Sequence, residues 1–347
     1  MNTTKKTQGI PCSKSNLLKS LLFAIALAAL AGNLMMLKKA AEQGHNKGGA
    51  AEQELGGKVN FTWNHHHQSP IIAYLTQGPA QACLKLKQRF QDLLLPAESY
   101  LFICHSYDED CDGCIFQPKT SFAEGKNIIV KTLVNSTLEV WDRVKYVVSF
   151  DDDVPLYPGP FEHDDPNRYK ESDPDSNDGW KPFHDLLLNQ NTTHPFIKPQ
   201  YPVDFKDKTT TYQTCTDENF WAIRKDHLHV VYPHSTIHSD FYWANAMRVF
   251  YLLHKCYPQA FQVVPDVRTH NYAHRYDTKG FAWGKIQEVA LAQLEDGYPE
   301  IGPWEVGMYP DKQRCTVFGA PSLGLHPICH EVMLDRFQKW IDGQYNP

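Results

Sequence analysis

The chain has 347 residues, enough for one large or two modest domains, with the hydrophobic (42%) and charged (21%) shares of an ordinary globular protein. Its formal charge of −6 supplies no broad basic field, which argues against nucleic acid or an anionic membrane surface as the main partner.

The first informative segment is N-terminal. Residues 1–16 carry Lys5, Lys6 and Lys14, and an apolar run follows over 17–37, closed by Lys38 and Lys39. About 20 helical residues cross a hydrocarbon core, and Lys19 can snorkel to the interface. The lysines ahead of the run favour a cytosolic N-terminus and a lumenal remainder, the type II arrangement. Ala29-Leu30-Ala31 also resembles a signal-peptide cleavage site, and cleavage would secrete the rest; the length of the run favours an anchor. Both readings send the chain beyond residue 39 into the secretory pathway. Asn60-Phe-Thr, Asn135-Ser-Thr and Asn191-Thr-Thr are glycosylation acceptors. Cys12 precedes the run, and the eight cysteines beyond it suit disulfides in an oxidising compartment, their pairing left open by the sequence. Cys111-Asp-Gly-Cys114 reads as a disulfide member rather than half of a zinc site, because no second CxxC accompanies it. Residues 38–68 are polar and glycine-containing and read as a flexible stem.

A lumenal domain is expected over 69–347. Ile71–Leu75 is a short apolar strand, Thr76-Gln77-Gly78-Pro79 breaks it, and Ala80–Leu95 has helical spacing. Strands are predicted at Tyr100–Cys104 and Asn127–Val130, a helix at Ser136–Val144 and a fourth strand at Tyr146–Phe150. Strand–helix alternation at this spacing predicts an α/β layer with a mostly parallel central sheet, whose ligands bind beyond the carboxyl ends of the strands. Residues 155–182 are rich in Pro, Asp, Glu and Asn and predict either a mobile loop over that end or simple disorder. Later elements are a helix at Phe183–Leu188, a helix at Phe241–His254, a strand at Phe261–Pro265, and helices at Trp283–Leu294 and Glu331–Ile341. Cys315 and Cys329 are candidates to tie the tail to the core.

Asp151-Asp152-Asp153 stands beyond the carboxyl end of the fourth predicted strand. Three adjacent carboxylates at a buried strand end repel one another and lose solvation, costs that a divalent cation offsets; Mg²⁺ or Mn²⁺ suits hard oxygen donors. If extended geometry continues, Asp151 and Asp153 face one side and Asp152 the other. The stretch YVVSFDDDV resembles the strand–DxD element of glycosyltransferases with the GT-A (Rossmann-like) fold, and the anchor-plus-stem layout is similar to Golgi members of that class. The resemblance implies a Golgi or ER type II membrane enzyme that moves a sugar from a nucleotide diphosphate donor to a glycan or glycoprotein acceptor, with Mn²⁺ or Mg²⁺ at Asp151 and Asp153 and with Asp152 beside the donor. It implies nucleoside contacts at Thr76, Gln77 and Gly78 after the first strand, and at His105, Ser106, Tyr107 and Asp108 after the second.

Two further roles follow from the resemblance. Asp240 fits the acid that takes a proton from the acceptor hydroxyl in inverting transfer, though it or Ser239 could simply cap the following helix; Asp217 and Glu218 compete for the role. His270 and His274 are candidates for a late metal ligand, His274 preferred, and neutral imidazole suits Mn²⁺ better than Ca²⁺. Arg268 or Arg275 could meet phosphate. The alternatives are a non-catalytic lumenal carbohydrate- or calcium-binding module, a solvated acidic turn, and another metal-dependent lumenal hydrolase. A two-metal hydrolase calls for several separated Asp/His motifs, of which HNYAH supplies only part.

Overall fold

The computed structural model describes residues 69–93, 95–159, 179–189, 191–200, 211–213, 220–236, 242–257, 261–269, 283–304, 317–318 and 327–347. The chain divides into a unit of residues 1–55, outside that set, and a unit of 56–347 that carries every element below. The expected membrane segment and Asn60 lie outside the described residues, among which no helix is long and apolar enough to cross a membrane.

Among the described residues, ten strands form one mixed sheet. Strand β1 (Ile71–Gly78) sits between β2 (Tyr100–Ser106) and β4 (Val144–Phe150), parallel to both, and β3 (Ile115–Phe116) adds parallel to β2. On the far side of β4 the sheet continues through β8 (Phe220–Arg224), β6 (Phe196–Gln200), β9 (Phe261–Thr269), β7 (Thr211–Gln213) and β10 (Val317–Phe318), while β5 (Leu156–Pro158) pairs with β9. Only β5, β7 and β8 run against the rest among the described residues, so the sheet is mixed and mostly parallel in strand direction.

Period-two alternation splits β1 between two cores. Ile71, Ala73 and Leu75 face one apolar cluster, and Ile72 and Tyr74 face the other. Helices α1 (Ala80–Asp92) and α4 (Trp180–Leu188) cover the second face through Leu86, Phe90, Trp180, Phe183 and Leu187. The first face is covered by α2 (Phe122–Val134), α5 (Leu228–Val231), α6 (Tyr242–Cys256), α7 (Trp283–Gly297) and α8 (Pro327–Ile341). Helices on both faces explain why the central strands are apolar throughout rather than alternating.

The predicted strand at Asn127–Val130 lies inside α2, a correction with a local cause. Ser121 and Glu124 form a capping box: the Glu124 N–H donates to Ser121 Oγ at 3.3 Å and the Ser121 N–H to Glu124 Oε2 at 2.7 Å. Ala123, Lys126, Asn127, Val130 and Leu133 then fall on one buried helical face. The Ile-Ile-Val run is too short to fix its own period. The helix predicted at Ser136–Val144 is the shorter α3 (Leu138–Arg143).

Three disulfides join described cysteines: Cys83–Cys104, Cys111–Cys114 and Cys256–Cys329. Cys329 therefore ties α8 to α6, while Cys215 and Cys315 lie outside the described residues. The chain leaves β5 at Gly159, whose N–H donates to Asp266 O at 2.7 Å, and returns at Gly179, whose N–H donates to Leu156 O at 3.2 Å. A Cβ on Gly179 would lie 2.6 Å from the backbone at Leu156 and Tyr157, so only glycine allows this approach.

Candidate functional site

In the parallel block the chain steps from β1 to β2 on one side, then crosses to β4 on the other. In sheets of this kind ligands bind at such a reversal, beyond the carboxyl ends of the strands, here β1 and β4. Gly78 ends β1, paired with Ser106 at the end of β2, and the acidic triplet follows Phe150 at the end of β4.

The triplet does not continue the strand. The Val154 N–H donates to Asp151 O at 3.3 Å, so Asp152 and Asp153 occupy a turn and the expected side-by-side alternation is lost. Asp151 and Asp152 are half-buried, and Asp153 is exposed. The Asp152 carboxylate packs against Gly78, where a Cβ would lie 2.6 Å from Oδ2. Burial, joined by the Asp153 charge, pushes the Asp152 pKa up to about 6. Its charge also reaches Tyr107 after β2: burial first, then Asp152 and Asp108, raise the Tyr107 phenol pKa. The ends of β1, β2 and β4 thus converge on one acidic centre.

Beneath it lies Lys126 of α2, 2% exposed. Its ammonium donates to Phe150 O at 3.0 Å and Ser149 Oγ at 3.2 Å, and sits 3.9 Å from Asp151 Oδ1. Tyr232 donates its hydroxyl proton to the same Ser149 Oγ at 3.2 Å. His234 is braced on α2, its N–H donating to Asn127 Oδ1 and its carbonyl accepting from Asn127 Nδ2, both at 2.8 Å. Burial, then the Arg248 and Lys126 charges, holds the His234 imidazole well below its ordinary pKa, so it is neutral. Sequence reasoning missed Lys126; its one signal was a lysine two residues ahead of the apolar run Ile128–Val130.

The predicted nucleoside contacts divide. Thr76 is fully buried and its hydroxyl meets no hydrogen-bond partner among the described residues. Gln77 donates from Nε2 to Phe122 O at 3.3 Å, tying β1 to the start of α2. His105 is buried, which lowers its pKa. Asp108 serves the scaffold. Its Oδ1 accepts the Ala80 N–H (2.8 Å) at the start of α1, the Glu109 N–H (2.8 Å) and the Ser106 hydroxyl (3.0 Å). The Ala80 bond is the largest of the causes that lower its carboxyl pKa.

Thr269 at the end of β9 donates from Oγ1 to Pro155 O at 2.7 Å, joining that strand end to the residues just past the triplet. Arg268 lies over the Tyr157 ring, 5.9 Å from its centroid. His270, His274, Arg275, Asp217, Glu218 and Asp240 lie outside the described residues. Asn135 and Asn191 are both exposed.

No protein-family profile matches the chain, and no curated protein does. Among solved structures, the chain is similar at 12% identity to one described as "crystal structure of a glycosyltransferase involved in the glycosylation of the major capsid of PBCV-1"; the match covers 67% of this chain and 79% of that one, with a TM-score of 0.26. At that score the likeness carries no weight for function, and the chemistry rests on the residues above.

Proposed function

We propose that the chain is a metal-dependent glycosyltransferase of the GT-A kind, which moves a sugar from a nucleotide diphosphate donor to a glycan or glycoprotein acceptor. The observation that carries this reading is the acidic triplet at the strand reversal of the parallel block, with the Asp152 carboxylate seated against a glycine that leaves it room. Oxygen donors of this kind fit Mn²⁺ or Mg²⁺. Lys126 sets a single ammonium at Asp151 against three neighbouring carboxylates, so the donor set accommodates further positive charge.

Asp151 and Asp153 would hold the ion, with Asp152 beside the donor and His274 as a late ligand. A bound ion would offset the charge that the diphosphate gains as it departs. Lys126 keeps Asp151 oriented from below, and Gly78 gives the carboxylate its seat. Asp240 is the proposed base: the acceptor hydroxyl oxygen attacks the anomeric carbon, its proton passes to Asp240, and the nucleoside diphosphate leaves with the bonding pair. Residence in the Golgi or ER, anchored by residues 17–37, belongs to the same proposal; the three described disulfides support an oxidising compartment.

Calorimetry tests it. Nucleoside diphosphate should bind only with Mn²⁺ or Mg²⁺ present, and Asp151→Asn and Asp152→Asn should each weaken metal-dependent binding and turnover by about 100-fold or more, with far-UV circular dichroism unchanged. Metal-independent binding, or full turnover in both variants, would remove the assignment. Binding of free sugar with Ca²⁺ alone would instead identify a lectin-like module.

A further inference from the structure

Four cysteines occupy one patch beside α1. Cys83 and Cys104, each 1% exposed, join α1 to β2, whereas the half-buried Cys111–Cys114 pair closes the turn between β2 and β3. The two disulfides are not isolated from each other: the Sγ atoms of Cys83, Cys111 and Cys114 all lie within 4.8 Å of one another. Lys87, one helical turn beyond Cys83 and on the same face of α1, clamps the turn in place. Its ammonium donates to Asp112 O at 3.0 Å and Asp112 Oδ2 at 2.8 Å, between the two cysteines of the motif.

We propose that these four cysteines form one thiol–disulfide exchange centre, in which the half-buried Cys111–Cys114 pair relays electrons from an external dithiol to the buried Cys83–Cys104 bond. One thiolate of the dithiol attacks the Cys111–Cys114 bond, and its second thiolate resolves the mixed disulfide. The reagent leaves as a disulfide, and Cys111 and Cys114 become thiols. A thiolate of this pair then attacks Cys83 Sγ; the bond to Cys104 breaks, and Cys104 takes up the displaced proton. The other thiolate attacks its partner's sulfur, re-forms Cys111–Cys114 and releases Cys83 as a thiol. Two electrons and two protons have moved inward, and no sulfur crosses more than the gap already present. The outcome unfastens α1 from β2 beside Asp108, whose carboxylate caps α1.

The full chain, treated with one equivalent of dithiothreitol and quenched with iodoacetamide at intervals, tests this by peptide mapping. Label should appear first on Cys111 and Cys114, then shift to Cys83 and Cys104 while the outer pair re-oxidises. Replacing Cys111 and Cys114 together by Ser should slow opening of the inner bond about 10-fold or more. Label that never reaches Cys83 and Cys104, or inner opening at an equal rate in that variant, overturns the relay. A second variant, Cys104→Ser with Cys111→Ser, leaves Cys83 and Cys114, which should join as a disulfide on mild oxidation. Two persistent thiols there would also overturn it.

Discussion

Gly78 and Asp152 set the geometry of the acidic centre between them. A methyl group at residue 78 would meet Asp152 Oδ2 at 2.6 Å, well inside van der Waals contact, so the carboxylate must swing away. Gly78→Ala is expected to weaken metal-dependent nucleotide binding by about 10-fold or more, a cost of roughly 1.4 kcal/mol or above, with the urea midpoint little changed; titration calorimetry against the parent chain measures it. The triplet itself was legible in the sequence because like charges on adjacent residues need an explanation. Its shape was not. Alternation holds only while the strand does, and here the Val154 N–H closes back on Asp151 O. Lys126 escaped notice for a related reason: a lysine on a helix is ordinarily solvated, and only packing of α2 beneath the end of β4 turns this one inward.

At the scale of elements, β1, α1, β2, β4 and the helices at the end of the chain are readable from spacing and apolar runs. The parallel block follows from their alternation. The exception is α2, where a short apolar run has strand character although Ser121 and Glu124 supply a helix-start signal three residues apart. Ser121→Ala should therefore cost about 1 kcal/mol of stability, read as a fall in the urea midpoint at constant slope; no change would mean that tertiary packing alone holds α2. The reversed strands beyond β4 are harder to foresee, because nothing within β5, β7 or β8 states the direction of its neighbours. Long-range pairing is decided by which edges remain to be covered, not by local composition.

For the molecule as a whole, buried histidines link stability to acidity. His184 lies fully buried between Tyr74 and Ser99. Ser99 gives its proton to Pro96 O, so the network assigns His184 Nε2 as donor and Nδ1 as acceptor from Tyr74, a neutral ring. Burial pushes its pKa down to about 4; burial also lowers His194 to about 4 and His229 to about 3. Between those values and the unfolded value near 6.5, the unfolded chain holds more protons than the folded one. Stability is then complete above about pH 6.5 and falls as pH drops toward 4, with His184 contributing roughly 3 kcal/mol. Urea midpoints measured across this window should decline, and His184→Gln should flatten the slope by about one proton. The junction at β5, where the Gly159 N–H holds to Asp266 O of β9 and the Gly179 N–H to Leu156 O, carries a further consequence. Two glycines far apart in sequence therefore steady one three-residue strand, and loosening either contact should loosen the other.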